Sequence, residues 1–280
     1  MPETDRRPES NLPPLSLHIP EPRYRPGDTP DFGDIVVPAV DATPRPSEAT
    51  KPDAMRDLCY GLVRVLDFDG HAKGQWDPKL SPERLRTMLR YMMLVRAFDD
   101  RMFRAQRQGK TSFYMKCTGE EATSVASTMA LDRGDMIARD YPLIQMMNQI
   151  YSNRGDHLMG RQLPIMYSAP EHGFFSVSGN LATQYPQAVG WAMASASKGD
   201  SRIATVWCGE GSSAEGDFHS ALTFATVYNA PVIFNVVNNQ WAISSFSGFA
   251  GGERTTFAAR AVGYGIAGLR IDGNDPLAVY

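Results

Sequence analysis

Ile203-Ala204-Thr205-Val206-Trp207-Cys208-Gly209-Glu210-Gly211, answered one helix's length later by Pro231-Val232-Ile233-Phe234-Asn235-Val236-Val237-Asn238-Asn239, decides the fold. Each stretch begins as a nearly unbroken apolar run of strand length, the pattern of strands buried in a parallel sheet. Between them Phe218, Ala221, Leu222 and Ala225 recur at helical spacing, with Glu215, Asp217 and Thr223 turned elsewhere. The segment therefore reads strand, glycine turn, helix, strand. Such a crossover is right-handed and returns the second strand parallel to the first, so both strand ends open on one edge of the sheet. Directly paired strands lie about 4.8 Å apart, which lets one ion touch a carboxylate at Glu210 and an amide oxygen at Asn239 together. Magnesium takes hard oxygen ligands, commonly shared between protein, phosphate and water. The glycines let backbone N–H groups approach an anion, and a helix expected to begin near Ala214 adds the positive end of its dipole.

Gly209, Gly211 and Ala214 also satisfy the dinucleotide pattern G-x-G-x-x-G/A after a strand. That pattern calls for an acidic residue about 20 positions on, at the end of the next strand, to hold the ribose hydroxyls. From Phe218 to Ser247 the chain has no Asp or Glu, and the strand ends on Asn238-Asn239 instead. The residues favour a metal-bound diphosphate, with a nicotinamide or flavin site and a purely structural turn as the alternatives.

Residues 209–216 (GEGSSAEG) and 238–244 (NNQWAIS) resemble the thiamine-diphosphate signature of 2-oxo acid dehydrogenase α subunits. Residues 106–115 (QRQGKTSFYM), 160–164 (GRQLP), 181–184 (LATQ) and 186–190 (PQAVG) resemble the branched-chain 2-oxo acid dehydrogenase α subunit in particular. The resemblance runs from about residue 62 to residue 280. It implies a thiamine-diphosphate-binding α/β fold, a mainly parallel sheet flanked by helices, and thiamine diphosphate with Mg2+ as cofactors. Residue by residue, it assigns metal contacts to Glu210, Asn239 and the backbone carbonyl of Trp241. It assigns cofactor contacts to Tyr141, Gly179, Leu181, Glu210, Gly211, Ser212, Asn239, Ala242 and Ile243. Ser178, Asn180, Thr183 and Gln184 align with a stretch that holds a structural monovalent cation (K+) in some relatives.

The resemblance further implies decarboxylation of branched-chain 2-oxo acids, with transfer of the acyl group to a lipoyl-bearing acyltransferase core. The expected assembly is an α2β2 heterotetramer in which the β subunit supplies the glutamate that activates the cofactor, so this chain alone is expected to be inactive. A pyruvate- or acetoin-type α subunit is the neighbouring alternative. Two departures stand out. Pro142 occupies the position where the family is expected to place an Arg on the diphosphate, with Arg139 as the nearest substitute. The chain also stops at Tyr280, ahead of the family's His-bearing loop, so no residue is nominated as catalytic and the chain is read as a fragment or truncated product, with a non-catalytic scaffold as a further alternative.

Composition adds bounds. The chain has 280 residues, 42% of them hydrophobic, and a formal charge of -3. That suffices for one large core, gives no electrostatic footprint for nucleic acid, and includes no run of the roughly 18 apolar residues that span a membrane. Three cysteines, Cys59, Cys117 and Cys208, are far apart and read as buried free thiols in a reducing compartment. The first ten residues carry Glu3, Asp5 and Glu9 and fit neither a secretory signal nor a transit peptide, so the expected location is cytoplasmic.

The organisation changes near residue 55. Residues 1–55 are proline-rich and aperiodic, an extended arm with Leu15, Leu17 and Ile19 as alternating apolar anchors for a partner; residues 56–280 form the cofactor-binding domain. A short strand pattern over residues 60–67 leads into a turn at Asp69-Gly70. Ser81-Pro82 opens a long helix with Leu85, Met88, Leu89, Met92, Val95 and Met102 as its apolar stripe, and a second helix is expected over residues 120–131. Small residues after Leu181, from Ala182 to Ala196, suit close packing inside one domain or against a subunit. Glu120 and Glu121 read as a solvated helix start. His157, His172 and His219 have no zinc-ligand spacing.

Overall fold

A computed structural model of the chain describes residues 16–33, 35–132, 134–136 and 141–280. Its centre is the predicted crossover. β1 (Ala204–Gly209) and β2 (Val232–Val237) pair in parallel, in register from Ala204 opposite Val232 to Gly209 opposite Val237. A parallel bridge between Met136 and Ala204 extends the sheet beyond β1. Helix α5 (Gly216–Tyr228) links the two strands, and α4 (Gln184–Ser197) packs against both α5 and β1. The architecture is α/β.

The small residues of α4 explain that packing. Ala188 and Ala192 are fully buried and bring the helix backbone close to Val206 on β1 and to Ala221 and Ala225 on α5. Tyr185 fills the centre of the cluster, its ring stacked on Phe234 at 5.3 Å and its hydroxyl donating to the Asn235 carbonyl at 2.5 Å. A buried phenol needs such an acceptor, and an interior strand carbonyl provides it. The long helix expected at Ala214 begins at Gly216 instead. A 3-10 turn, Gly211–Ala214, comes first, and Glu215 separates the two in an extended conformation, φ -73 and ψ 148.

A second cluster joins α1 (Pro82–Arg107), α2 (Glu121–Ala130) and the last helix, α7 (Pro276–Val279). The Ser81 hydroxyl caps α1 by accepting from the Arg84 N–H at 3.3 Å, with Pro82 in the first turn, as the sequence predicts. Met88 and Met102 are core residues, whereas Leu85 and Leu89 are 39% and 55% exposed. The apolar stripe of α1 is thus wider than the face that α2 and α7 cover. A helix α3 (Leu143–Ile150), a β3/β4 hairpin (Trp241–Ala242 with Ser245–Phe246) and a short α6 (Arg260–Gly263) complete the regular elements. Among the described residues no helix is long and apolar enough to cross a membrane.

The strand expected over residues 60–67 is reduced to two isolated bridges, an antiparallel one between Leu66 and Ala72 and a parallel one between Val63 and Ile271, the latter closed by Val63 N–H to the Arg270 carbonyl at 2.8 Å and Asp272 N–H to the Val63 carbonyl at 3.0 Å. The described part of the arm has no helix or strand before the 3-10 turn Pro52–Cys59. Its later portion is tied down: the Trp76 indole N–H donates to the Thr43 carbonyl at 2.7 Å, and Arg64 donates to the Pro38 carbonyl at 2.9 Å. Of the expected anchors, Leu17 and Ile19 are 94% and 67% exposed, and Leu15 lies outside the described residues.

Asp275 locks the two edges together. Its buried carboxylate accepts from the N–H groups of Val65 at 2.6 Å and Leu66 at 2.7 Å, and caps α7 through Leu277 and Ala278, both at 3.1 Å. Asp275→Ala would leave the N–H groups of Val65, Leu66, Leu277 and Ala278, all buried or half-buried, without their acceptor. We expect it to lower unfolding stability by about 2–4 kcal/mol, read as a shift in urea midpoint; an unchanged midpoint would contradict the clamp.

Candidate functional site

The parallel register brings Glu210 and Asn239 to one edge of the sheet. The Glu210 N–H donates to the Val237 carbonyl at 3.1 Å, continuing the ladder one step beyond the last paired residues. The Glu210 side chain is 1% exposed, and its Oε1 has no hydrogen-bond partner. Burial pushes its carboxyl pKa up; the N–H groups of Glu210 and Asn239 oppose that shift, and the charge of Glu120 adds to it. Asn239 is an amide with both ends engaged. Its Oδ1 accepts from the Trp241 N–H at 3.0 Å, and its Nδ2 donates to Glu120 Oε1 at 2.8 Å. A cavity of about 430 Å3 opens here, bordered by Glu120, Thr123, Trp207, Gly209, Val237 and Asn239.

The turn after Glu210 is built for close approach. A side chain at Gly211 would place its first carbon 2.4 Å from the Ala242 methyl, so only glycine lets the turn lie against β3. Ser212 and Ser213 are buried; the Ser213 hydroxyl bonds to the Glu210 carbonyl, and Arg260 bridges the Ser213 hydroxyl at 2.8 Å to the Ala250 carbonyl. Glu210, Gly211, Ser212, Asn239, Trp241 and Ala242 therefore belong to one neighbourhood. Ile243, at the tip of the hairpin, has φ 60 and is 92% exposed.

Other predicted positions lie farther off. Gly179 and Leu181 sit on the loop entering α4, Gly179 against Met166 and Leu181 56% exposed, and neither borders the strand-end cavity. Tyr141 lies in an aromatic cluster with Tyr167 at 5.7 Å, His172 at 5.8 Å and Phe174 at 5.9 Å. It borders a larger neighbouring cavity of about 1430 Å3, which shares Ser124, Thr128 and Phe174 with the smaller one. Pro142 caps α3, and Arg139 lies outside the described residues. On the α4 loop the Thr183 hydroxyl donates to the Asn180 carbonyl at 2.9 Å, and the Gln184 amide donates to the Trp207 carbonyl at 2.9 Å, leaving Gln184 Oε1 buried without a partner. His157 and His219 are taken up by the Ser168 carbonyl and the Tyr264 hydroxyl.

Sequence reasoning missed Glu120, Trp207 and Phe174 as site residues. Glu120 and Phe174 come from segments remote from the crossover, and Trp207 reads simply as a strand residue.

A profile of the family described as "Dehydrogenase E1 component" matches residues 89–280, and one described as "2-oxoisovalerate dehydrogenase E1 alpha subunit N terminal" matches residues 13–53. The chain belongs to the dehydrogenase E1 component family. Among its relatives, the 2-oxoisovalerate dehydrogenase subunit alpha of Pseudomonas aeruginosa is 58% identical over 97% of this chain and 69% of its own length. The mitochondrial subunits alpha of Mus musculus and Homo sapiens are each 40% identical over 78% of this chain and 52% of theirs. This chain thus spans about half the length of the mitochondrial members of the family. Within it, this chain groups with the branched-chain E1 alpha subunits.

The buried charge at Glu210 sets a pH dependence. With the carboxyl pKa raised in the folded state, the penalty is absent below the ordinary carboxylate range, where both forms are protonated, grows as pH rises from there, and is complete above the raised value. Glu210→Gln is therefore expected to raise the melting temperature of the metal-free chain at neutral pH, with the gain vanishing near about pH 4. A destabilised variant at neutral pH would show that the carboxylate is satisfied without a cation.

Proposed function

We propose that this chain is the part of a branched-chain 2-oxo acid dehydrogenase α subunit that holds thiamine diphosphate through Mg2+. One observation carries the reading: an unpartnered, buried carboxylate oxygen at Glu210 stands beside Asn239 at the ends of two parallel strands. A hard divalent cation is what such oxygens lack, since Asn239 Oδ1 also keeps a lone pair after accepting from Trp241. Glu210, Asn239 and the Trp241 carbonyl would hold the ion. The turn at Gly211 and Ser212, with Ala242 against it, would receive the diphosphate, and Gly179, Leu181, Ile243 and Tyr141 would line the remainder of the cofactor path.

The bound cofactor supplies the carbon nucleophile and electron sink for decarboxylation. The protein's task is orientation: a close-packed turn that excludes water and a carboxylate kept desolvated until a cation neutralises it. The named relatives are dehydrogenase subunits acting on 2-oxoisovalerate, which supports a branched 2-oxo acid substrate here. We further propose a β subunit as the partner that completes an α2β2 active site, a lipoyl-bearing acyltransferase core as acyl acceptor, residues 1–55 as the arm laid on the partner, and a monovalent cation at Ser178, Asn180, Thr183 and Gln184, supported by the orphaned Gln184 oxygen.

Co-expression with a cognate β subunit tests the proposal. Mg2+-dependent thiamine-diphosphate binding and decarboxylation of 3-methyl-2-oxobutanoate in preference to pyruvate are expected, with Asn239→Ala weakening cofactor binding tenfold or more. Binding of NAD without any metal requirement would overturn it, and metal-dependent cofactor binding without turnover would leave only the scaffold role.

A further inference from the structure

We infer that Glu120 is a positioning residue for the metal site, holding the Asn239 amide so that its oxygen, and not its nitrogen, faces the cation. This rests on the cofactor reading above and adds a residue that is neither a predicted ligand nor near the crossover in sequence. The contact spans 119 positions: Glu120 Oε1 accepts from Asn239 Nδ2 at 2.8 Å.

The chemistry of the pair makes it directional. An ionised carboxylate only accepts, so the amide must turn its NH2 end toward Glu120. Its Oδ1 is then forced to the opposite side, where it accepts from the Trp241 N–H at 3.0 Å and retains capacity for a metal. Without Glu120 the amide can rotate and present N–H groups to the ion, which no cation accepts. The second observation is independent of that hydrogen bond. Glu210, 1% exposed and carrying an orphaned carboxylate oxygen, directly follows Gly209, and Gly209, Glu120 and Asn239 all border the strand-end cavity.

Local structure explains why Glu120 is the one available. Gly119, at φ +94, turns the chain at the start of α2, with Glu120 in the N-cap position. The neighbouring Glu121 is already committed, paired with Arg96 and accepting from the Gly119 N–H at 3.0 Å. Glu120 is left to face the strand ends, where it meets the Asn239 amide.

The test is a Mg2+ titration of the chain assembled with its β subunit, in saturating thiamine diphosphate, followed by calorimetry and by thermal shift. Glu120→Ala is expected to raise the apparent Mg2+ dissociation constant about tenfold, the scale of losing one charge-assisted hydrogen bond. Glu120→Gln, which keeps an acceptor at the same distance, is expected to stay within about threefold of the parent. If the alanine variant does not assemble, Glu120→Met preserves the side-chain length while removing the acceptor, and the same loss is expected. In an Asn239→Ala background, removing Glu120 should change little. Unaltered Mg2+ affinity in Glu120→Ala or Glu120→Met, where Asn239→Ala has lost affinity, would overturn the positioning role. If Asn239→Ala is itself silent, the metal site falls and this inference with it.

Discussion

Everything at the site depends on the parallel pairing of β1 with β2 in one register. With Gly209 opposite Val237, the next residue on one strand is Glu210 and the second on the other is Asn239. A slip of one residue would reverse which side chains face the core and would carry both polar groups away from the edge. The register is held from several directions: by the apolar faces of α4 and α5, by Tyr185 bonding across to Asn235, and by the Asn235 amide donating to Thr205 at 3.0 Å. Stability is thereby spent on placing a carboxylate where it is poorly solvated.

That arrangement is tense by construction. Glu210 is buried without a full set of partners, Glu120 sits nearby with the same charge, and the turn between β1 and α5 tolerates no side chain at Gly211. A protein interior does not keep an unpaired carboxylate without a compensating ligand or a raised pKa. On the proposed function, a divalent cation at the strand ends would satisfy the orphan oxygen and offset the like charges.

The crossover was legible in the sequence because its signals are local: apolar runs of strand length, helical spacing between them, and glycine and asparagine at the ends. The cap at Ser81-Pro82 and the core of α2 were legible for the same reason. The rest depends on long-range contacts. The Glu120–Asn239 bond joins residues 119 apart, and the Asp275 clamp reaches back 210 positions to Val65. Leu85 and Leu89 follow the helical period yet remain exposed, because periodicity shows which face is apolar and not what covers it. Tyr141 is expected among the cofactor contacts; the aromatic packing with Tyr167, His172 and Phe174 that sets it on the adjoining cavity has no sequence signature.

The most direct test of the account is an anomalous-scattering crystal structure of the α–β assembly grown with thiamine diphosphate and Mn2+ in place of Mg2+. The account predicts one strong peak at the C-terminal ends of β1 and β2, within roughly 2.1 Å of a Glu210 carboxylate oxygen and of Asn239 Oδ1. Cofactor bound with the metal peak elsewhere, or with Glu210 still buried and uncoordinated, would contradict it.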